Sequence, residues 1–224
     1  MSCTTCDLQT WLIPLIPLVV FPVLQQHALW RKLAIAPQRG YCLLKIVCSK
    51  LSELSNDEGF EQCIVLTDRV KEEQYDMDLA LRFVVFRTLD AEEVKKAKDI
   101  NEFVTDKMLE IARNPDFDFA QEAKAFKATF SILNETIGAD CFHRYDIQKQ
   151  RFLGGFLLSA FETVALGVGY NYEAILDVKE SFNILERIKK LWGNKDFLKR
   201  IGSGKTASLR MPRIVPLGRD LFKP

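Results

Sequence analysis

The chain has 224 residues, 48% of them hydrophobic and 27% charged, with a formal net charge of +1. That content predicts a globular protein with a filled core, and the near-neutral total excludes a molecule-wide field that would draw in nucleic acid or a membrane surface. Charge is nonetheless uneven: from Lys199 to Pro224 seven basic residues face one acid, Asp220, so this segment carries +6 and the remainder −5 (+1 minus +6).

Near the N-terminus, Cys3-Thr-Thr-Cys6 has the spacing of half a zinc site. No second close pair follows, and the only histidines are His27 and His143, so no metal or other cofactor is expected. The cysteines at 3, 6, 42, 48, 63 and 141 are too scattered for a disulfide framework and suit reduced thiols in a cytoplasm. Trp11 to Leu24, "WLIPLIPLVVFPVL", is strongly apolar but short and broken by three prolines. A membrane span needs about 20 apolar residues, and a secretory signal needs a basic start that the first ten residues lack. The run is expected to be buried extended backbone, or a segment without its normal partner. Residues 1–50 thus read as a poorly defined N-terminal segment, and 51–224 as an α-helical domain. Across that boundary, "YCLLKIVCSKLSEL" fits a helix with Leu43, Leu44, Val47 and Leu51 inward, followed by the polar loop "SNDEG".

From Asp76 onward apolar residues recur at three- and four-residue spacing, the signature of amphipathic helices. "MDLALRFVVFRTL", Met77 to Leu89, is apolar on most sides and predicts a deeply buried helix. Ile100, Phe103, Val104, Met108 and Ile111 share one face, with Asp99 as cap and Pro115 as stop. Phe119, Ala123, Phe126, Phe130, Leu133 and Ile137 form another stripe, with Asp118 at its N-cap and Gly138 at its left-handed C-cap. After a turn at "HRYDIQKQ", Gly154 to Gly167 predicts an apolar helix ended by Gly167 or Gly169. One long helix is then expected from Tyr170 to Trp192, with Ile175, Val178, Phe182, Leu185 and Ile188 inward. The fold class is all-α: a multi-helix bundle with an irregular proline-rich N-terminal segment and an extended basic C-terminal segment.

Chemistry-bearing groups mostly have structural readings. His143, Cys141 and Asp146 could be base, nucleophile and orienter, but they are adjacent in sequence rather than convergent in space, and a turn is preferred. Asp76, Asp78, Asp116 and Asp118 form two Asp-x-Asp pairs that could hold a divalent cation; at helix starts, capping is the stronger reading. The aromatic stripe of Phe103, Phe126, Phe130, Phe156 and Phe161 reads as core. Gly204-Lys205-Thr206 resembles the end of a phosphate-binding loop, but Lys199 stands where that loop needs glycine, and Pro212 and Pro216 are expected to break any following helix. What remains is the basic segment itself. Lys205, Arg210, Arg213 and Arg219 are the candidate nucleic-acid contacts, the arginines reaching phosphates from an extended backbone spaced by proline and glycine.

Four long phrases carry a family resemblance: "QYDMDLALRFVVFR", "NPDFDFAQEAKAFKATFSILNETIGADCFHRYD", "RFLGGFLLSAFETVALGVGYN" and "RIGSGKTASLRMPRIVPLGRDLF". They resemble the C-terminal helical half of the bacterial GmrSD-type restriction proteins, over about Leu51 to Phe222. In that family the N-terminal half is similar to the ParB/sulfiredoxin fold and bears an Asp-Gly-Gln-Gln-Arg signature. That string is absent here, Gln25-Gln26 being preceded by Val23-Leu24 and followed by His27, and no histidine after His143 could serve an HNH-type nuclease. The resemblance implies a non-catalytic helical companion of a phage-defence or DNA-processing protein. Its partner would be another protein, such as the missing N-terminal half, or DNA, with no membrane. The alternative is a nucleotide-hydrolysing or nuclease subunit. A family chain shortened by deletion or frame change would also account for the N-terminal run.

Overall fold

A computed structural model describes residues 39–201 and 205–224, with side chains from Leu44 onward. The expectations for Cys3, Cys6, Trp11–Leu24, Gln25-Gln26, His27, the side chains of Cys42 and Leu43, and the turn at Gly202–Gly204 lie outside these residues. The described chain is an all-α bundle, with one two-stranded hairpin as its only sheet among the described residues.

The first half comprises α1 (Arg39–Ser55), the short α2 (Glu58–Cys63) and α3 (Asp68–Glu72), then α4 (Tyr75–Phe86), α5 (Ala91–Lys95), α6 (Ile100–Arg113) and α7 (Phe119–Thr136). Helix α1 runs without interruption across residue 50 and buries Leu44, Val47 and Leu51, as its apolar spacing predicts. Starts are fixed by acceptor side chains. The carboxylates of Asp57, Asp90, Asp99 and Asp118 each accept a backbone N–H of the first turn, each cap worth about 1 kcal/mol. Helix α7 stops where Gly138 adopts φ +66°, the left-handed conformation that a side chain would resist.

After the 3-10 turn Gly138–Asp140, strands β1 (Arg144–Asp146) and β2 (Arg151–Leu153) pair antiparallel, with Tyr145 opposite Phe152. The turn expected at "HRYDIQKQ" is thus the head of a hairpin. Helices α8 (Leu158–Tyr170), α9 (Tyr172–Asp177), α10 (Ile184–Gly193), α11 (Lys195–Ile201) and α12 (Ala207–Leu221) complete the bundle.

Two expectations need correction. The single long helix expected from Tyr170 is two, α9 and α10. Asn183 opens the second by accepting the amide of Glu186, so Val178 and Phe182 fall in the connection and Val178 is exposed. The C-terminal segment is not extended: α12 is helical and contains both Pro212 and Pro216. Two interior prolines cost about 6 kcal/mol together, but α12 buries Met211, Ile214 and Val215 against the bundle, and Phe222 just beyond it. At about 1.5–3 kcal/mol for each buried side chain, that burial outweighs the two missing hydrogen bonds.

A phenylalanine cluster forms the centre. The rings of Phe60, Phe126 and Phe130 lie within 4.5–4.9 Å of one another, and Phe83, Phe142 and Phe161 surround them. Helices α4 and α8 are buried almost all round. Helix α12 crosses α8 at backbone contact: a Cβ on Gly167 would lie 2.5 Å from the Gly218 oxygen, and one on Gly218 would lie 2.2 Å from the Thr163 oxygen. Gly167 and Gly169 lie inside α8 rather than ending it: the crossing with α12 needs the missing side chain of Gly167, and a Cβ on Gly169 would lie 2.6 Å from the Phe83 ring of α4.

Candidate functional site

Charges buried between apolar helices are the most unusual feature of the interior. Arg82 on α4 interrupts an apolar run; its Nε donates to Asp78 one turn earlier at 2.7 Å and its Nη2 to Asn101 on α6 at 2.9 Å. Glu162 is the one acid of α8 and is fully buried. Its Oε2 accepts two N–H bonds from Arg210 on α12, at 3.0 and 2.7 Å, while Oε1 lies 3.6 Å from Arg82 Nη1. Those last two atoms have no hydrogen-bond partner, so they meet by charge alone. Two acids and two guanidiniums compensate one another, tying α4, α8 and α12 together.

Local electrostatics follow from this arrangement. Burial pushes the Glu162 carboxyl above its ordinary value, Arg210 and Arg82 offsetting part of the effect. At Arg82 burial opposes the charge, but Asp78, with Glu162 behind it, wins and holds its pKa above the usual guanidinium range. Tyr75, at the start of α4, is pushed up to about 12, chiefly by burial. Its ring meets Phe156 edge-on, at 6.2 Å between centroids.

Two further arginines are committed nearby. Arg87 forks onto Glu122 of α7 through Nε at 2.8 Å and through Nη2. Arg219 sends one nitrogen to the carbonyls of Phe86, Arg87 and Leu89, at 3.0, 3.1 and 2.6 Å, closing the C-terminal end of α4. Its guanidinium also stacks 4.5 Å from the centre of the Tyr170 ring. Burial lowers its pKa from the usual guanidinium value.

The four cations singled out in the sequence therefore separate into two pairs. Arg210 and Arg219 face inward on protein acceptors. Lys205 and Arg213 are exposed and form no ion pair among the described residues, as is also true of Lys199 on α11. The other candidates are dispersed. His143 Nδ1 pairs with Asp140 at 2.9 Å, not with Asp146, which caps the hairpin turn by accepting the amides of Gln148 and Lys149. Cys141 points into the core. Asp76 accepts the neighbouring Met77 amide, and Asp118 caps α7. Asp78 departs from the capping expectation, since its carboxylate serves Arg82. No three His, Cys, Asp or Glu side chains among the described residues are grouped to hold a metal ion, and no described helix is long and apolar enough to cross a membrane.

Arg82 and Glu162 escaped the sequence analysis although a signal was present: each is a lone charge inside an otherwise apolar helical run, "LALRFVV" and "SAFETVALG". Such a charge must find a buried partner. The chain matches no family model, no curated protein and no solved structure.

Proposed function

We propose that the chain is a non-catalytic helical module that docks an acidic partner protein through the solvent face of α11 and α12. One observation carries the reading: the run from Phe197 to Arg219 contains no acid, yet its cations are divided between those bound to protein acceptors and those left exposed. Arg210 and Arg219 are used internally, which leaves Lys199 and Arg213 in solvent on helices that also expose Leu198 (37%) and Leu209 (69%), with Lys205 exposed in the connection between them. Leu209 and Arg213, one turn apart on α12, present an apolar and a cationic group on one exposed face, which suits an acidic protein surface with apolar anchors. Phosphate contact gains nothing from leucine. Arg200, half-buried, also forms no ion pair among the described residues, and with these four cations a duplex would be held with a salt slope of only about −3.6 (0.9 for each). The side chains that could support catalysis are occupied as caps, ion pairs and core, which supports a binding role over a hydrolytic one. The resemblance to GmrSD-type proteins supports a phage-defence or DNA-processing setting, with a protein carrying the catalytic half as the partner.

The test compares two probes on the full chain. Calorimetry with a synthetic amphipathic helix bearing glutamate and leucine on one face should show binding that Leu209→Asp and Arg213→Glu each abolish. Anisotropy of a labelled DNA duplex should show only weak, shallowly salt-dependent binding. Tight duplex binding with a steep salt slope, lost in Lys205→Glu and Arg213→Glu, would replace the protein partner with nucleic acid.

A further inference from the structure

We propose that Cys63 and Cys141 are a redox pair that closes into a disulfide when the chain folds under oxidising conditions. The two are 78 positions apart. Cys63 is the last residue of α2, Cys141 follows the 3-10 turn, and these elements pack directly on each other. Each side chain is only 1% exposed. Cys141 Sγ donates to the Cys63 carbonyl at 3.8 Å, and Cys63 Sγ donates to the Phe130 carbonyl at 3.8 Å. The fold thus brings two sulfurs from distant parts of the chain into one closed compartment.

The chemistry needs a small disulfide such as oxidised glutathione as the oxidant. The thiolate of one cysteine attacks it, the glutathione S–S bond breaks, and one glutathione thiolate leaves while a mixed disulfide forms. The second cysteine then attacks the protein sulfur of that mixed disulfide, forming the Cys63–Cys141 bond and expelling the second glutathione. Two electrons pass to glutathione, and the two thiol protons end on the departing thiols. In the native state this exchange is slow: burial, with the Cys63 thiol beside it, holds the Cys141 thiol well above its ordinary pKa, and neither sulfur is open to a tripeptide. Exchange therefore belongs to the open chain, and native packing selects this pairing from among the six cysteines. The resulting cross-link restricts a long loop of the unfolded state and so stabilises the folded chain.

The full chain is unfolded in urea, refolded in a glutathione redox buffer, quenched by alkylation and digested without reductant. The expected product is a Cys63–Cys141 peptide pair about 2 Da lighter than its two free thiol peptides together. The oxidised protein should also unfold at a higher urea concentration than the reduced one, a gain absent in Cys63→Ala and in Cys141→Ala. Native protein kept in the same buffer should stay reduced at both positions. The same mapping on native chain held in sub-denaturing urea reads the pairing without a refolding step. Free Cys63 and Cys141 after either treatment, or linkage chiefly to Cys3, Cys6, Cys42 or Cys48, would overturn the proposal. Oxidation of the closed native protein as fast as of the open chain would overturn its coupling to folding.

Discussion

Replacing Glu162 by glutamine tests the central ion cluster directly. The substitution keeps the volume of the side chain but removes the charge that faces Arg210 at 2.7 Å and Arg82 at 3.6 Å. Arg82 retains Asp78, whereas the Arg210 side chain, 13% exposed, has no other ion-pair partner among the described residues. Breaking one side of a buried pair costs about 3–5 kcal/mol. Burial already disfavours the Glu162 charge, and relief of that penalty places the expected loss near 3 kcal/mol. With a urea slope of about 3 kcal/mol per molar, the unfolding midpoint should fall by about 1 M. The double variant Glu162→Leu with Arg210→Met leaves no orphaned partner between α8 and α12, so it should lose less than the sum of the two single changes. Because the pair fastens α12, hydrogen exchange in Glu162→Gln should speed up in α12 before α7. A loss below about 1 kcal/mol with additive single variants would show that the cluster is not a coupled unit.

Other predictions concern packing and ionisation. Gly218→Ala should destabilise by about 1–3 kcal/mol despite the better helix propensity of alanine, because its Cβ would meet the Thr163 oxygen at 2.2 Å. Gly155→Ala, which meets nothing within 4 Å, is the control and should be neutral in the same urea titration. Arg219→Met strips the donor from three carbonyls at the end of α4 and should cost about 1–3 kcal/mol, with faster exchange in the last turn of that helix. The raised pKa of Tyr75 means that folding favours its neutral form. Its contribution is complete below the usual value of 10.0 and is lost as pH rises towards about 12. Tyr75→Phe should therefore flatten the alkaline limb of stability against pH, and an unchanged limb would show that another group governs it.

The long amphipathic helices are legible because their inward residues have strict spacing: it predicts α6 and α7, caps included, and the segment of α4, apolar on most sides, predicts a deeply buried helix. What the spacing concealed was arrangement. The prolines of α12 argue for a broken chain on local grounds, and only burial against α8 overrides them. Gly167 and Gly169 look like helix ends until the α12 backbone is found against the first and the Phe83 ring against the second. The stretch after Tyr170 keeps a helical period through Val178 and Phe182, yet Asn183 restarts the helix because its side chain accepts the Glu186 amide. The basic segment was legible as charge and not as direction. Nothing in its spacing told that Arg210 and Arg219 turn inward, since their acceptors, Glu162 and the end of α4, lie 48 or more positions away.

That division makes α12 a helix with two separable faces. Arg210 and Arg219 are nine residues apart, about 13.5 Å of helix, and each is fastened to a different neighbour, one to α8 and the other to α4. Arg213 and Leu209 lie on the side of α12 opposite Met211, Ile214 and Val215, flanked by Arg210 and Arg219, so a partner bound to them meets a surface already clamped near both ends and need not spend binding energy on ordering it. Stability and binding should then come apart by substitution. Arg213→Glu should leave the unfolding free energy within about 0.5 kcal/mol, as is usual for exposed sites, while abolishing peptide binding. Arg210→Glu should lose several kcal/mol by setting a second acid against Glu162. If Arg213→Glu instead unfolds the protein, or if Arg210→Glu is stable and merely fails to bind, the inward and outward roles assigned to α12 are reversed.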